Sequence, residues 1–172
     1  MSSPAKDYIA TQPAGHHLAE LNIATARGDM DGPIMQEFSD ALDQVNAIAD
    51  RSAGFVWRQQ DDSGNATRIT YSPNPRAITN LSVWTTAPAF EQYVWNTVHR
   101  RFMQQGDKWF LPRSKRYFVM WWVPIGHEPT LDEALDRLHR LEENGPGPDA
   151  FDWAALPGQR LWETADAPLR KK

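Results

Sequence analysis

The side chains in this sequence that could hold and activate a small molecule are two asparagines, a histidine, a carboxylate and several tryptophans. The amides of Asn22 and Asn80 each offer a donor and an acceptor. Together they could orient a polar substrate or stabilise an enolate, or else satisfy each other or water. Trp84 and Trp122 could stack on an aromatic ligand, although a tryptophan in a strand usually serves core or interface. His99 follows Trp95 by four residues and shares with it the edge of an apolar helical stripe. A half-covered imidazole there could act as general base or metal ligand, or be a satisfied structural group. Glu20 points out of an oily strand, where a carboxylate is unfavourable unless paired, and Arg58 is its available partner in a structural ion pair. Ser82 lies between Asn80 and Trp84 on the same side of their strand.

Other chemistries are excluded by the residue types themselves. The chain has no cysteine, which removes disulfides, thiolate nucleophiles, iron–sulfur clusters and cysteine-ligated zinc. His16, His17, His127 and His139 have no spacing that converges with carboxylates on a dedicated metal site. A phosphate-cradling glycine loop, a nucleophile elbow and a dinucleotide fingerprint are missing too. The net charge of -4, with basic runs confined to Arg100-Arg101 and Arg170-Lys171-Lys172, argues against a general nucleic-acid binder. No apolar stretch approaches the ~18 residues that span a bilayer, and the opening residues lack an apolar signal core. A soluble cytoplasmic protein without a membrane partner is the expectation.

These residues need elements to position them. At 172 residues the chain suits one well-buried domain, and it divides into a mobile leader over 1–15, a domain over 16–148 and a C-terminal arm over 149–172. Alternation over 16–24 places Ala19, Leu21 and Ile23 on one face of a strand, with Leu18, Glu20 and Asn22 on the other. Ile34, Phe38, Ala41, Leu42, Val45, Ile48 and Ala49 recur at helical steps, and Gly54 is the stop signal. Residues 55–60 and 78–84 read as strands joined by a turn-rich link. Thr86 caps a second long helix, which Pro88 enters and whose apolar stripe is Phe90, Val94, Val98 and Phe102. Residues 117–123 are apolar on both faces, as in a central covered strand. A capping box from Thr130 to Glu133 opens a last helix carrying Leu131, Leu135, Leu138 and Leu141.

The order is that of an α+β, ferredoxin-like βαββαβ domain with an additional C-terminal helix. Its first and third strands are neighbours, which brings Glu20 and Asn22 beside Asn80, Ser82 and Trp84. The helices are expected to cover the Leu21 and Val83 face only. The polar and aromatic face is then left for a second copy, giving a homodimeric α/β barrel. The arm carries Phe151, Trp153, Leu156, Leu161 and Trp162, which suits docking on the domain or on a partner.

The segments His17-Leu18-Ala19-Glu20-Leu21-Asn22-Ile23-Ala24, Gly54-Phe55-Val56-Trp57-Arg58, Leu81-Ser82-Val83-Trp84 and Trp121-Trp122-Val123-Pro124 occur with His99, Gly126-His127 and Pro129-Thr130. Together they resemble the bacterial family DUF3291 over residues 16–148. The passage from Val83-Trp84 to Ala89-Phe90 is also similar to the antibiotic-biosynthesis monooxygenase superfamily of secondary metabolism, whose members are dimeric α/β barrels. That resemblance implies an oxidoreductase without cofactor or metal, acting on an aromatic or phenolic metabolite. Asn22, Trp84 and His99 would position and deprotonate the substrate, and Glu20, Arg58, Asn80, Ser82, Trp95 and Trp122 would line its pocket. A haem-binding alternative on the same scaffold makes His99 the axial ligand. A third reading is a ligand-binding or accessory protein without catalysis.

Overall fold

Strand β1 (His16–Thr25) can occupy the middle of the sheet because both of its faces find cover: Leu18, Ala19, Glu20 and Leu21 are all buried. The computed structural model describes residues 8–159 except Arg68, Ser114 and Lys115, without the side chains of Val98 and His99. Antiparallel to β1 run β3 (Ala77–Trp84) on one side and β4 (Phe118–Pro124) on the other. The short β2 (Phe55–Arg58) flanks β3, so the sheet order is β2-β3-β1-β4. Helices α1 (Gln36–Arg51) and α2 (Ala87–Asn96) make the crossovers, and α5 (Leu131–Asn144) follows β4. This is the expected α+β, ferredoxin-like βαββαβ fold with an additional C-terminal helix. Among the described residues no helix is long and apolar enough to cross a membrane.

Local chemistry sets the helix ends. Thr86 Oγ1 accepts the Ala89 N–H at 3.2 Å, with proline in the first turn of α2. Thr130 Oγ1 likewise accepts the Glu133 N–H at 3.1 Å. The Glu133 carboxylate does not turn back to close the expected box; it accepts the Trp121 indole N–H at 3.1 Å and lies 2.7 Å from His127 Nε2. The second long helix does not run through to Phe102. Thr97 is extended (φ -119, ψ -174), and its hydroxyl donates to the Tyr93 carbonyl at 2.5 Å. A β-branched residue bonding back one turn ends the helix there. The chain resumes as α3 (Val98–Gln104) and α4 (Gly106–Trp109).

The cover of the sheet is the main departure from the sequence reading. The Leu21 and Val83 face was expected under α1 and α2; instead it lies under α5, with Ala19, Leu81, Val119, Trp121 and Val123 packed against Ala134, Leu138 and Leu141. The Glu20 and Trp84 face was expected to await a second copy; it is roofed within the chain by α1 and α2, through Ala49, Phe90, Tyr93 and Val94 over Leu18, Trp84 and Met120. A wholly apolar strand face and a leucine-striped helix one short loop further on satisfy each other without a partner. The uncovered face from which a barrel dimer was argued is therefore not present.

Both ends of the described chain add to the core. Phe151 is fully buried and exchanges two backbone hydrogen bonds with Met120, at 2.8 and 2.9 Å, along the outer edge of β4. Ala155 and Leu156 are buried beside it. Residues 8–15, placed in the leader, include Tyr8, whose ring packs on Phe151, and buried Ala10, which donates to the Ala155 carbonyl at 2.8 Å. Leu161 and Trp162 lie outside the described residues.

Candidate functional site

The roofed face is not filled completely. Between it and α1, α2 and α3 lies a cavity of 490 Å³. Strand alternation supplies its polar floor: Glu20, Asn22 and Asn80 project from β1 and β3, and the ladder sets Asn22 directly opposite Asn80. Phe90, Phe118 and Trp153 form an aromatic wall of nearly parallel rings, with Trp153 5.3 Å from Phe90 and 5.9 Å from Phe118. A flat, apolar ligand would find ring faces here and hydrogen-bonding groups below.

Glu20 is the titratable centre. It is 1% exposed, and no cation pairs with it among the described residues. The Arg58 ion pair expected from sequence does not form. β2 is separated from β1 by β3, a distance of two strand spacings or about 10 Å. Arg58 turns instead to Asp50, at 2.7 Å, and to the Gly64 carbonyl, at 2.6 Å. Burial without a counter-charge pushes the Glu20 carboxyl up to about 8, against the lowering effect of hydrogen bonds from Ser82 and Asn22.

The direction of those bonds can be read from the donor inventory. The Trp84 indole can only donate, and it donates to Ser82 Oγ at 2.9 Å. Ser82 must then turn its own hydrogen to Glu20 Oε1, at 2.5 Å. Glu20 Oε2 keeps only a 3.4 Å contact from the Asn22 amide, which leaves it as the oxygen able to gain or lose a proton. Tyr93 stacks on Trp84 with ring centroids 5.0 Å apart, and burial, then the Glu20 charge, raises its phenol well above the ordinary value. It stays a neutral hydroxyl on the cavity wall.

The predicted residues therefore separate into groups. Glu20, Asn22, Arg58, Asn80 and Trp95 line one cavity. Ser82 and Trp84 are buried beneath it and hold Glu20 in place, so Trp84 offers no open face to a ligand. Trp122 packs on Phe151 at 5.3 Å and lies off the cavity wall. The His99 side chain is outside the described residues, and no histidine occurs among the described residues lining the cavity. Among the described residues no cluster of three or more His, Asp or Glu could hold a metal.

Sequence reading missed Tyr93 and Arg100, both on the wall. Tyr93, one helical turn after Phe90, shares the face of the apolar stripe and reads as core. Arg100 is brought to the cavity only by the break at Thr97, which the apolar stripe conceals. Glu20 was noticed for the wrong reason, since its cross-strand partner Ser82 is a hydroxyl and not a cation.

Fold and site together define a ferredoxin-like domain with one buried carboxyl at the floor of an aromatic cavity. The chain belongs to the family described as a domain of unknown function, DUF3291, which it matches over residues 17–166. Among solved structures it is similar to SnoaB from Streptomyces nogalater, described as a cofactor-independent oxygenase, at 16% identity and a TM-score of 0.42, over 67% of this chain and 96% of that one. It is also similar to the NE2512 protein of unknown function from Nitrosomonas europaea, at 9% identity and a TM-score of 0.42, over 69% of this chain and 97% of that one. No curated protein matches it.

Proposed function

We propose that this chain is a small-molecule enzyme that takes an aromatic or phenolic substrate into the cavity, removes a weakly acidic proton with Glu20 and lets the resulting anion react with dioxygen. The observation that carries the reading is a solvent-shielded carboxyl, raised to about 8, on the floor of an aromatic cavity. A base of that strength is populated in both forms near neutral pH, where general acid–base catalysis is most effective. Asn22 and Asn80 supply amide donors for the developing oxyanion, and Tyr93 adds a neutral hydroxyl.

For a substrate CH₂ flanked by aromatic rings the steps balance. Glu20 takes the first proton, the carbanion transfers an electron to dioxygen, and the radical pair closes to a C–O bond. Glu20 returns the proton to the peroxide. Loss of the second carbon-bound proton then expels hydroxide, which leaves as water. One oxygen atom ends in the new carbonyl and the other in water, and the four electrons come from the two C–H bonds.

Oxygen uptake with anthrone as the probe tests this. The wild type should accelerate uptake over buffer, and Glu20→Gln, which keeps the shape but cannot exchange the proton, should lose about a hundredfold or more. An unchanged rate in the variant would remove Glu20 from the reaction.

A further inference from the structure

Buried polar atoms without partners collect around this cavity. Among the described residues, Gln59 Oε1, Thr79 Oγ1, Trp95 Nε1 and Arg100 Nε are shielded from solvent, make no hydrogen bond and belong to residues that line it, while a fifth such atom, Trp122 Nε1, lies off the wall. Trp95 is 8% exposed, so its N–H has no bulk water to turn to. Native structures tolerate such groups where an ordered water or a ligand completes them. Arg100 also forms no ion pair among the described residues, whereas Arg58 is engaged by Asp50 and Arg113 lies over the Tyr117 ring. The one acidic neighbour on that stretch of wall, Asp107, is exposed.

Trp95 and Arg100 stand five residues apart, which on an unbroken helix would turn them about 140° from each other. The interruption at Thr97 is what lets both line one cavity. We propose that the α2–α3 end of the cavity is an anion subsite, in which Trp95 Nε1 and Arg100 Nε hold the carboxylate of a hydroxylated aromatic acid. The ring of that acid lies along Phe90 and Trp153. The orientation, with the acidic hydroxyl or carbon toward Glu20, rests on the function proposed above; the subsite itself does not. A guanidinium and an indole offer two donors for two carboxylate oxygens, and neither can accept a bond.

Titration calorimetry of the full chain with 3-hydroxy-2-naphthoate and with its methyl ester tests the subsite, because the ester keeps the ring and hydroxyl and loses the charge. The wild type should bind the acid at least about tenfold more tightly than the ester. Arg100→Gln should erase that preference by weakening the acid alone, and Trp95→Phe should weaken the acid several-fold while sparing the ester. Arg100→Lys, which keeps charge and loses the Nε donor, should fall between. Glu20→Gln should retain the preference. If Glu20→Gln also consumes oxygen at the wild-type rate, the catalytic reading fails and the subsite stands. Equal binding of acid and ester, a preference that survives in both Arg100→Gln and Trp95→Phe, or no binding of either probe at millimolar concentration overturns the subsite.

Discussion

A carboxyl sealed into an apolar layer alters both the reactivity and the stability of the protein that contains it, and Glu20 should show both. Its folded value of about 8 lies above the ordinary 4.5, so between those values the folded state holds more protons than the unfolded state. Stability therefore falls as pH rises through that window, and is lowest above it. In Glu20→Gln the part of the slope that comes from Glu20 should vanish, and above the window the variant should exceed the wild type by up to about 5 kcal/mol. Urea denaturation at a series of pH values checks this; parallel profiles for the two proteins would mean that Glu20 does not titrate as described. Asn22→Ala removes one long hydrogen bond from a half-buried position, so its stability should stay within about 1–2 kcal/mol of wild type. The readout that should move is the pH profile, whose window should extend upward once Oε2 loses its donor.

At the scale of elements, the site depends on how closely α2 packs against the passage into β2 and how α5 packs on the sheet. Gly54 sits at φ +82 between α1 and β2, and a Cβ there would lie 2.4 Å from the Ala89 Cβ and 2.7 Å from Thr85 Oγ1. The passage allows only glycine because α2, which carries Phe90 and Tyr93, packs against bare backbone. Gly54→Ala should destabilise by about 2–4 kcal/mol, from backbone strain and overlap together. Adding Ala89→Gly should recover the overlap and leave the strain, so a partial rescue is expected; full rescue would show that the φ requirement is absent. On the opposite face, Leu21 is fully buried against the α5 layer. Leu21→Ala should cost about 2–5 kcal/mol by opening a void, without shifting the titration window of Glu20. Thermal melts at two pH values separate this packing lesion from the electrostatic one at Asn22.

For the whole molecule, the two ends of the chain close the core together. Ala10, Phe151 and Ala155 lie in the same cluster as Trp84 and Phe90, the layer that roofs Glu20. Removing residues 1–12 deletes the Ala10 to Ala155 hydrogen bond and the Tyr8 contact with Phe151, and should lower stability by about 1–3 kcal/mol. Phe151→Ala should do more harm, about 3–5 kcal/mol, because it also loosens the strap along the β4 edge. If the truncated chain unfolds at the wild-type denaturant midpoint, the leader is peripheral after all. The homodimer expected from sequence rested on an open sheet face. Within one chain that face is roofed by α1 and α2.

What the sequence by itself determined is the part of the fold that local rules govern. Alternation located the strands, three- and four-residue steps located the helical stripes, and β-α-β-β-α-β order made the first and third strands neighbours, which brought Glu20 and Asn22 beside Asn80, Ser82 and Trp84. The register that sets Asn22 opposite Asn80 and Glu20 opposite Ser82 came from the tertiary structure. Even the helix caps at Thr86 and Thr130 could be placed, because each is an interaction within four residues. What only the tertiary structure decided is which helix covers which face, whether Glu20 meets a cation, and which indoles reach the cavity. Strand alternation divides residues between two faces, but it carries no sign saying which face the crossovers will roof. That choice came from tertiary packing: α5 against the Leu21 and Val83 face, and α1, α2 and the segments around Ala10 and Phe151 against the Glu20 and Trp84 face. Once α1 and α2 lay over Glu20, with Arg58 held by Asp50 and β3 between them, the carboxyl was left buried without a counter-charge, and its chemistry followed from that isolation.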